Sequence, residues 1–261
     1  QLEMSERRAC RVVGQSRSTQ RYEPREDGEE CRLRDELRRI SRERPRAGYR
    51  MAARCLRRSG WRVNDKRVQR IWREEGLRVV RRSHKRRRLG ATQQGSQYLR
   101  AGRPNEVWSY DFIQDRTVDG RRLKILVVVD EYTRECLALE LGRTLTAGDV
   151  IGVLSGLVKE RGAPVHLRSD NGPEFVARAV RQWLSLRGIG TLYIAPGSPW
   201  ENAYCESFNS RLRDEFLNWE QFASELEAKV LSAGWRRDCN EARPHSALGD
   251  QTPAEFAQRW R

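Results

Sequence analysis

"EVWSYDFIQDRTVDGRRLKILVVVD" occupies residues 106–130. Two runs rich in β-branched and aromatic residues flank Asp119-Gly120, a turn signal, so the stretch predicts a β-hairpin. The second run, "LKILVVVD" (123–130), is almost continuously apolar, as expected of a strand covered on both faces. One residue resists this reading. Asp111 sits inside the first strand between Tyr110 and Phe112, and aspartate is a poor strand former.

Working outward, "ECLALEL" (135–141) predicts a third strand. Strands then alternate with helices. A helix is expected from Thr146 to Lys159, with Val150, Ile151, Leu154, Leu157 and Val158 inward. "PVHLRSD" (164–170) is a fourth strand, followed by a helix from Pro173 to about Leu186. "GTLYIA" (190–195) is a fifth strand, with helices from about Trp200 to Trp219 and from Phe222 to Asn240. This order describes a mixed five-stranded α/β sheet with helices.

The formal charge of the 261-residue chain is +15, and it is unevenly spread. Residues 1–100 hold 30 Lys and Arg against 13 Asp and Glu; residues 101–261 hold 21 against 23. A polyanion such as nucleic acid is the natural partner of the first part. No apolar run is long enough to span a membrane, and there is no signal-peptide pattern. The six cysteines are scattered without a CxxC pair, so neither a zinc knuckle nor a disulfide framework is indicated, and reduced thiols of a cytoplasmic protein are expected. The chain opens on Gln1 with Met4 internal, as expected of a fragment or the downstream part of a longer product.

Residues 1–24 read as a short helix, a turn at Gly14 and a second helix opened by Ser16 or Ser18. That outline fits either a helix-turn-helix, with Arg17, Gln20 and Arg21 toward DNA, or a plain helical hairpin. Residues 25–85 predict a small all-α, Arg-rich DNA-binding domain of three helices. The first carries Leu33, Leu37 and Ile40, the second runs through Met51–Leu56, and the third carries Val68, Ile71 and Trp72 behind an Asn64 cap. Arg62, Lys66, Arg67 and Arg70 are its candidate phosphate contacts. Lys85 ends this domain as a further candidate contact, and Arg86 and Arg87 begin a basic, Gln/Gly/Ser-containing linker (86–104) expected to track DNA. A catalytic core is expected over 105–220 and a helical extension over 221–261.

Two further acids stand out. Asp170 ends the fourth strand in "HLRSDNGPEF" (166–175), where Asn171-Gly172 turns the backbone away and Pro173 opens a helix. Glu206 lies on a later helix whose Cys205, Phe208, Leu212, Phe216 and Trp219 form one apolar stripe. At 100° per residue Glu206 falls roughly 120° from that stripe, flanked by Asn202, Asn209 and Arg213.

Thirty-five residues separate Asp170 from Glu206. With a strand aspartate upstream, this spacing resembles the D,D-35-E signature of retroviral-type integrases and insertion-sequence transposases. "WSYDFI", "VVVDEYTRECLALEL", "RSDNGPEF", "SPWENAYCESFNSRLRDE" and "NEARPHSALGDQTPAEF" together resemble the OrfB-type transposase of the IS-three insertion-sequence family over nearly the whole chain. The resemblance implies an RNase H-like core and makes Asp111, Asp170 and Glu206 the catalytic and metal-binding carboxylates. It implies two Mg²⁺ ions, with Mn²⁺ a substitute, as hard cations matched to oxygen ligands. The implied reaction is nicking of double-stranded DNA at the element's terminal repeats, then direct attack of the 3′-OH on a second phosphodiester, the element first joining its own ends into a circle that is later inserted in target DNA. Homo-oligomers on DNA, an upstream OrfA product or fused portion, and a nucleoid-associated bacterial setting are implied with it.

Asn202 and Asn209 either orient substrate or cap and solvate their helix; Arg213 is a candidate phosphate contact. Trp200 is a base-stacking or loop-packing residue, and His245 is expected to be structural. Asp130 is expected to bond within the "DEYTR" turn, toward Arg134. With only three histidines the zinc-binding module of retroviral integrases is absent, and no leucine heptad suits a coiled coil. Ala203 and Cys239 replace the Gly and Tyr expected from relatives. Two other readings share these carboxylates: an RNase H-like nuclease that never joins strands, and a silent DNA-binding remnant that represses.

Overall fold

The structure, a computed structural model, describes residues 4–21, 28–77, 79, 99–169, 177–194 and 202–260. Its centre is the predicted hairpin. Strand β1 (Val107–Arg116) pairs antiparallel with β2 (Arg122–Asp130) in a register that sets Asp111 opposite Val127. The turn between them places Gly120 at φ 80°, a conformation glycine adopts without a Cβ clash. Strand β3 (Cys136–Gly142) adds antiparallel to β2, with an irregularity between Val128 and Val129. Strands β4 (His166–Ser169) and β5 (Gly190–Tyr193) add parallel on the other side, giving the order β3-β2-β1-β4-β5.

Alternation along the strands divides the core. Trp108, Tyr110, Leu126 and Val128 pack against Leu154 of α6 (Ala147–Arg161) and Val180 and Leu184 of α7 (Arg178–Leu186). Ile113, Ile125, Val127 and Val129 face the opposite way. They meet Cys205, Phe208 and Leu212 of α8 (Ala203–Leu212) and Ala228 and Cys239 of α9 (Glu225–Glu241). Each fully buried side chain of this kind contributes roughly 1.5–3 kcal/mol. Helix α6 starts where Thr146 and Asp149 form a reciprocal capping box, satisfying two otherwise orphaned amides.

The apolar stripe expected on the α8 helix holds as far as Phe216 and then changes phase. Residues Arg213–Leu217 form a π-helical turn, whose wider winding brings Phe216 and Leu217 inward together. Trp219, expected inside, is therefore exposed, and its indole Nε1 donates to the Asp214 carbonyl at 3.0 Å.

The amino-terminal elements are helical as read. Helices α1 (Glu6–Val12) and α2 (Arg17–Gln20) are joined through Gly14 at φ 68°, and Ser16 caps α2. Helices α3 (Gly28–Glu43), α4 (Tyr49–Arg58) and α5 (Asp65–Glu74) share a separate core of Leu33, Leu37, Leu56, Val68, Ile71 and Trp72. Asn64 caps α5 by accepting from the Arg67 amide at 2.7 Å.

This three-helix unit meets the rest of the chain through ion pairs. Arg44 forks onto Asp238 at 2.8 and 2.6 Å, and Arg58 onto Glu255 of α10 (Pro253–Gln258) at 2.7 Å in both bonds. Arg46 reaches Asp214 at 2.8 Å and Arg54 reaches Asp250 at 2.7 Å. Among the described residues no helix is long and apolar enough to cross a membrane.

Candidate active site

Asp111 lies on the sheet face that packs against α8, two residues from Ser109 and from Ile113 on the same side. That position is half-buried at the rim of the apolar face. Its carboxylate is held from two sides. Oδ1 accepts from the Phe112 amide at 2.7 Å, and Oδ2 accepts from Nδ2 of Asn209 at 2.7 Å. An ionised carboxylate only accepts, so the Asn209 amide must present its NH₂ here. Asn209 thus bonds the strand acid directly, a role distinct from the substrate orientation and the helix capping that its sequence position suggested.

Glu206 is exposed in the first turn of α8, where the helix dipole favours a negative charge. The two acids come from different elements, and the charges of both act on the buried Cys205 thiol. Burial pushes Cys205 well above its usual range, and the negative charges of Asp111 and Glu206 push it the same way. Asn202 precedes α8 as a buried residue that makes no side-chain cap, and its Oδ1 has no partner among the described residues. Arg213 is exposed, and its Nη2 donates to the Gln114 carbonyl on β1 at 3.3 Å.

Asp170 lies outside the described residues. So do Lys85, Arg86, Arg87 and Trp200. Ser169, the last residue of β4, is described, and β4 lies directly beside β1 with Arg168 opposite Ser109. Among the described residues no three His, Cys, Asp or Glu side chains cluster as a metal site. Asp111 and Glu206 nonetheless offer a donor set of hard oxygens, one preoriented and one open to solvent, which suits Mg²⁺ or Mn²⁺ and would not suit a softer ion.

Asp130 is buried in its turn, but its partners are backbone amides. Oδ1 accepts from Tyr132 and Thr133 and Oδ2 from Asn105, while Arg134 meets only the Asp130 carbonyl, through its amide. The acid that sequence reading passed over is its neighbour. Glu131 is fully enclosed, accepts from Ser109 Oγ at 2.7 Å, and lies 3.1 Å from Nε of Arg168. Burial raises its carboxyl above the ordinary range, and Arg168 opposes that. This pair ties the β2 end to β4 immediately behind the candidate site.

His245 is buried, and burial together with Arg243, Arg211 and Arg134 pushes it down to about 3, so it is neutral. Among the candidate DNA contacts, Arg62 and Lys66 are exposed and have no carboxylate partner among the described residues. Arg67 and Arg70 instead bond Glu29 and Glu30 of α3, at 3.1 and 2.8 Å. Arg21 forks onto Glu6, and Arg17 lies 3.7 Å from the same carboxylate.

A mixed sheet of this order with helices on both faces is the RNase H-like arrangement, and it places the chain in the integrase-core class of polynucleotidyl transferases. Family profiles described as "Integrase core domain" match residues 101–199 and 187–253, and one described as "HTH-like domain" matches residues 29–86. An uncharacterized 31.7 kDa protein of insertion element IS407 from Burkholderia multivorans is 42% identical over 100% of this chain and 93% of its own length. Transposase InsD of an IS2 element from Escherichia coli is 28% identical over 83% of this chain and 75% of its own. A chain of the simian T-cell lymphotropic virus intasome has the same fold, with a TM-score of 0.53 and 16% identity over 85% of this chain and 73% of that one. The chain belongs to the insertion-sequence transposases of the IS-three family.

Proposed function

We propose that Asp111, Asp170 and Glu206 are the catalytic carboxylates of this transposase. Together they would hold two divalent cations, Mg²⁺ or in its place Mn²⁺. The observation that carries this reading is the Asn209–Asp111 bond, which seats the strand aspartate against α8 about one helical turn from the exposed Glu206, with β4 ending at Ser169 on the neighbouring strand. When bound, such ions neutralise the phosphodiester and activate the attacking oxygen. Asn209 fixes Asp111, the open position of Glu206 leaves room for DNA, and Arg213 lies along the same side of α8 to meet a phosphate. Attack by water on a terminal phosphodiester breaks the bond to the 3′ oxygen and leaves a 3′-OH. That hydroxyl then attacks a second phosphodiester and displaces its 3′ oxygen, so no covalent protein–DNA intermediate forms.

The three-helix region over 25–85 would grip the duplex through Arg62 and Lys66, which have no carboxylate partner among the described residues. Residues 1–24 and the linker 86–104 would extend the contact, 105–220 would act, and 221–261 would brace the core. Terminal repeats and target DNA are the substrates, at least two protomers hold two ends, and an OrfA product completes end recognition in the bacterial cytoplasm.

A supercoiled plasmid carrying the element's ends, incubated with Mg²⁺ or Mn²⁺, tests this. We expect junctions at the repeat ends with the native chain, and none with Glu206→Gln at undiminished DNA binding. Cleavage retained by Glu206→Gln overturns the site. Nicks without joining would make the chain a nuclease, and binding without nicks a repressor.

A further inference from the structure

A second polar cluster lies on the other side of α8. Tyr204, Ser207 and Arg211 recur at i, i+3 and i+7, so they share a face roughly opposite Glu206, Asn209 and Arg213. That face lines a cavity of about 230 Å³ closed by Arg134, Arg243 and His245.

Its walls carry donors that the protein leaves unused. Nη1 of Arg134 and Nε2 of His245 are buried and have no hydrogen-bond partner among the described residues. Arg211 is half-buried, and among the described residues no carboxylate comes within ion-pair distance of it. The carboxylate whose charge acts on it, Glu215, is committed to Arg243 through both oxygens, at 2.7 and 2.5 Å. Arg54, also on the wall, is balanced by Asp250. Among the described residues neither Arg134 nor Arg211 therefore has a carboxylate within ion-pair distance, although Glu131 is near enough for Arg134 to lower its carboxyl, and both cations border a space large enough for one tetrahedral anion.

Arg134 is also held in place for such a role. Its backbone is left-handed, at φ 64°, which is uncommon for a residue with a side chain. Its guanidinium lies 3.7 Å from the centroid of the Tyr204 ring. Backbone strain with an oriented, desolvated cation is a pattern found where a ligand is clamped. The field agrees: burial and the charges of Arg243 and Arg134 lower Arg211, and the same arginines with burial hold His245 neutral.

We propose that Arg134, Arg211 and His245 form a phosphate-binding site behind the candidate active site, filled in the working complex by a phosphodiester of DNA. The site itself stands on the cavity and its unpaired donors; DNA as the source of the phosphate rests on the proposed function. Guanidinium groups suit this because their fork matches phosphate oxygens, and a neutral imidazole can donate one further N–H.

The test has two arms, both on the full chain. In the first, thermal unfolding is followed against inorganic phosphate, with chloride at matched ionic strength. We expect phosphate but not chloride to raise Tm, and Arg211→Met to weaken the phosphate midpoint about tenfold or more, the size of a lost charge-assisted bond. Without phosphate, Arg211→Met should melt higher than the native chain, because an unpaired desolvated charge has gone; a structural arginine would do the opposite. If Arg211→Met does not fold, Arg134→Met is read in the same way. An equal phosphate response in native and variant chains overturns the site. In the second arm, duplex binding is measured against salt. A shallower slope for Arg211→Met, by about 0.9 per lost phosphate contact, supports DNA as the source. An unchanged slope beside a positive first arm overturns DNA as the source and assigns the site to free phosphate. Absence of duplex binding by the native chain overturns the proposed function, while the first arm still reads the site.

Discussion

Nδ2 of Asn209 lies 2.7 Å from Oδ2 of Asp111, a bond that joins α8 to the central strand at the point where the candidate chemistry occurs. Under the proposed function Asn209 acts through Asp111, as a positioning residue. Removing it with Asn209→Ala should slow strand nicking about ten- to a hundredfold, the effect of losing one hydrogen bond to a charged group. DNA affinity should hold. Nicking rates and duplex Kd measured together check this, and a parallel loss of both would show that Asn209 serves binding instead.

The Glu131–Arg168 pair, with side chains only 0% and 4% exposed, predicts a stability effect without a catalytic one. Arg168→Met strands a buried carboxylate and should cost about 3–5 kcal/mol in denaturant unfolding. The double variant Glu131→Leu/Arg168→Met should recover most of that. A single variant as stable as the parent would mean that Glu131 simply takes up a proton.

His245 predicts an acid limb. Its folded value of about 3 lies below the ordinary 6.5, so the unfolded chain gains a proton that the folded chain refuses. The stability it preserves is complete above about 6.5 and is lost as pH falls toward 3, at up to about 1.4 kcal/mol per pH unit. His245→Gln should flatten the dependence between pH 6.5 and 5, before carboxylates begin to protonate. Urea midpoints in phosphate-free buffer measure it, and identical slopes would refute the assignment.

The three-helix unit separates its cations into two kinds. Arg62 and Lys66 have no carboxylate partner among the described residues, whereas Arg67 and Arg70 bridge α5 to Glu29 and Glu30. Arg62→Ala/Lys66→Ala should weaken duplex binding uniformly across sequences and reduce the salt slope by about 0.9 for each contact removed. Stability should be unchanged. Fluorescence anisotropy over a salt series decides this, and a sequence-dependent loss would point to base contacts.

Most of the scaffold was legible before any coordinates. The Asp119-Gly120 turn, the apolar run to Asp130 and the capping Asn64 each carry a local signal, and each appears as read. Asp111 could be singled out because it violates strand preference. Other features have no local signal. The π turn at Arg213–Leu217 adds a fraction of a residue to one helical turn, which a fixed period cannot anticipate, and so Trp219 was assigned inward. Arg134, Arg211 and His245 are far apart in sequence, so no spacing links them; only the fold brings them around one cavity. Counting charges likewise reports how many arginines there are, not which of them already hold a carboxylate. Asp170 is an expectation that the described residues approach, through Ser169, without reaching.

The ion pairs between the three-helix unit and the remainder have a mechanical meaning. The apolar core of α3–α5 is separate from the two cores of the sheet, and Arg44, Arg46, Arg54 and Arg58 fasten the seam to Asp238, Asp214, Asp250 and Glu255. Such bonds weaken as ionic strength rises, and a guanidinium exchanges carboxylate for phosphate with little change in geometry. The seam is a latch of a kind that a polyanion is chemically able to compete for.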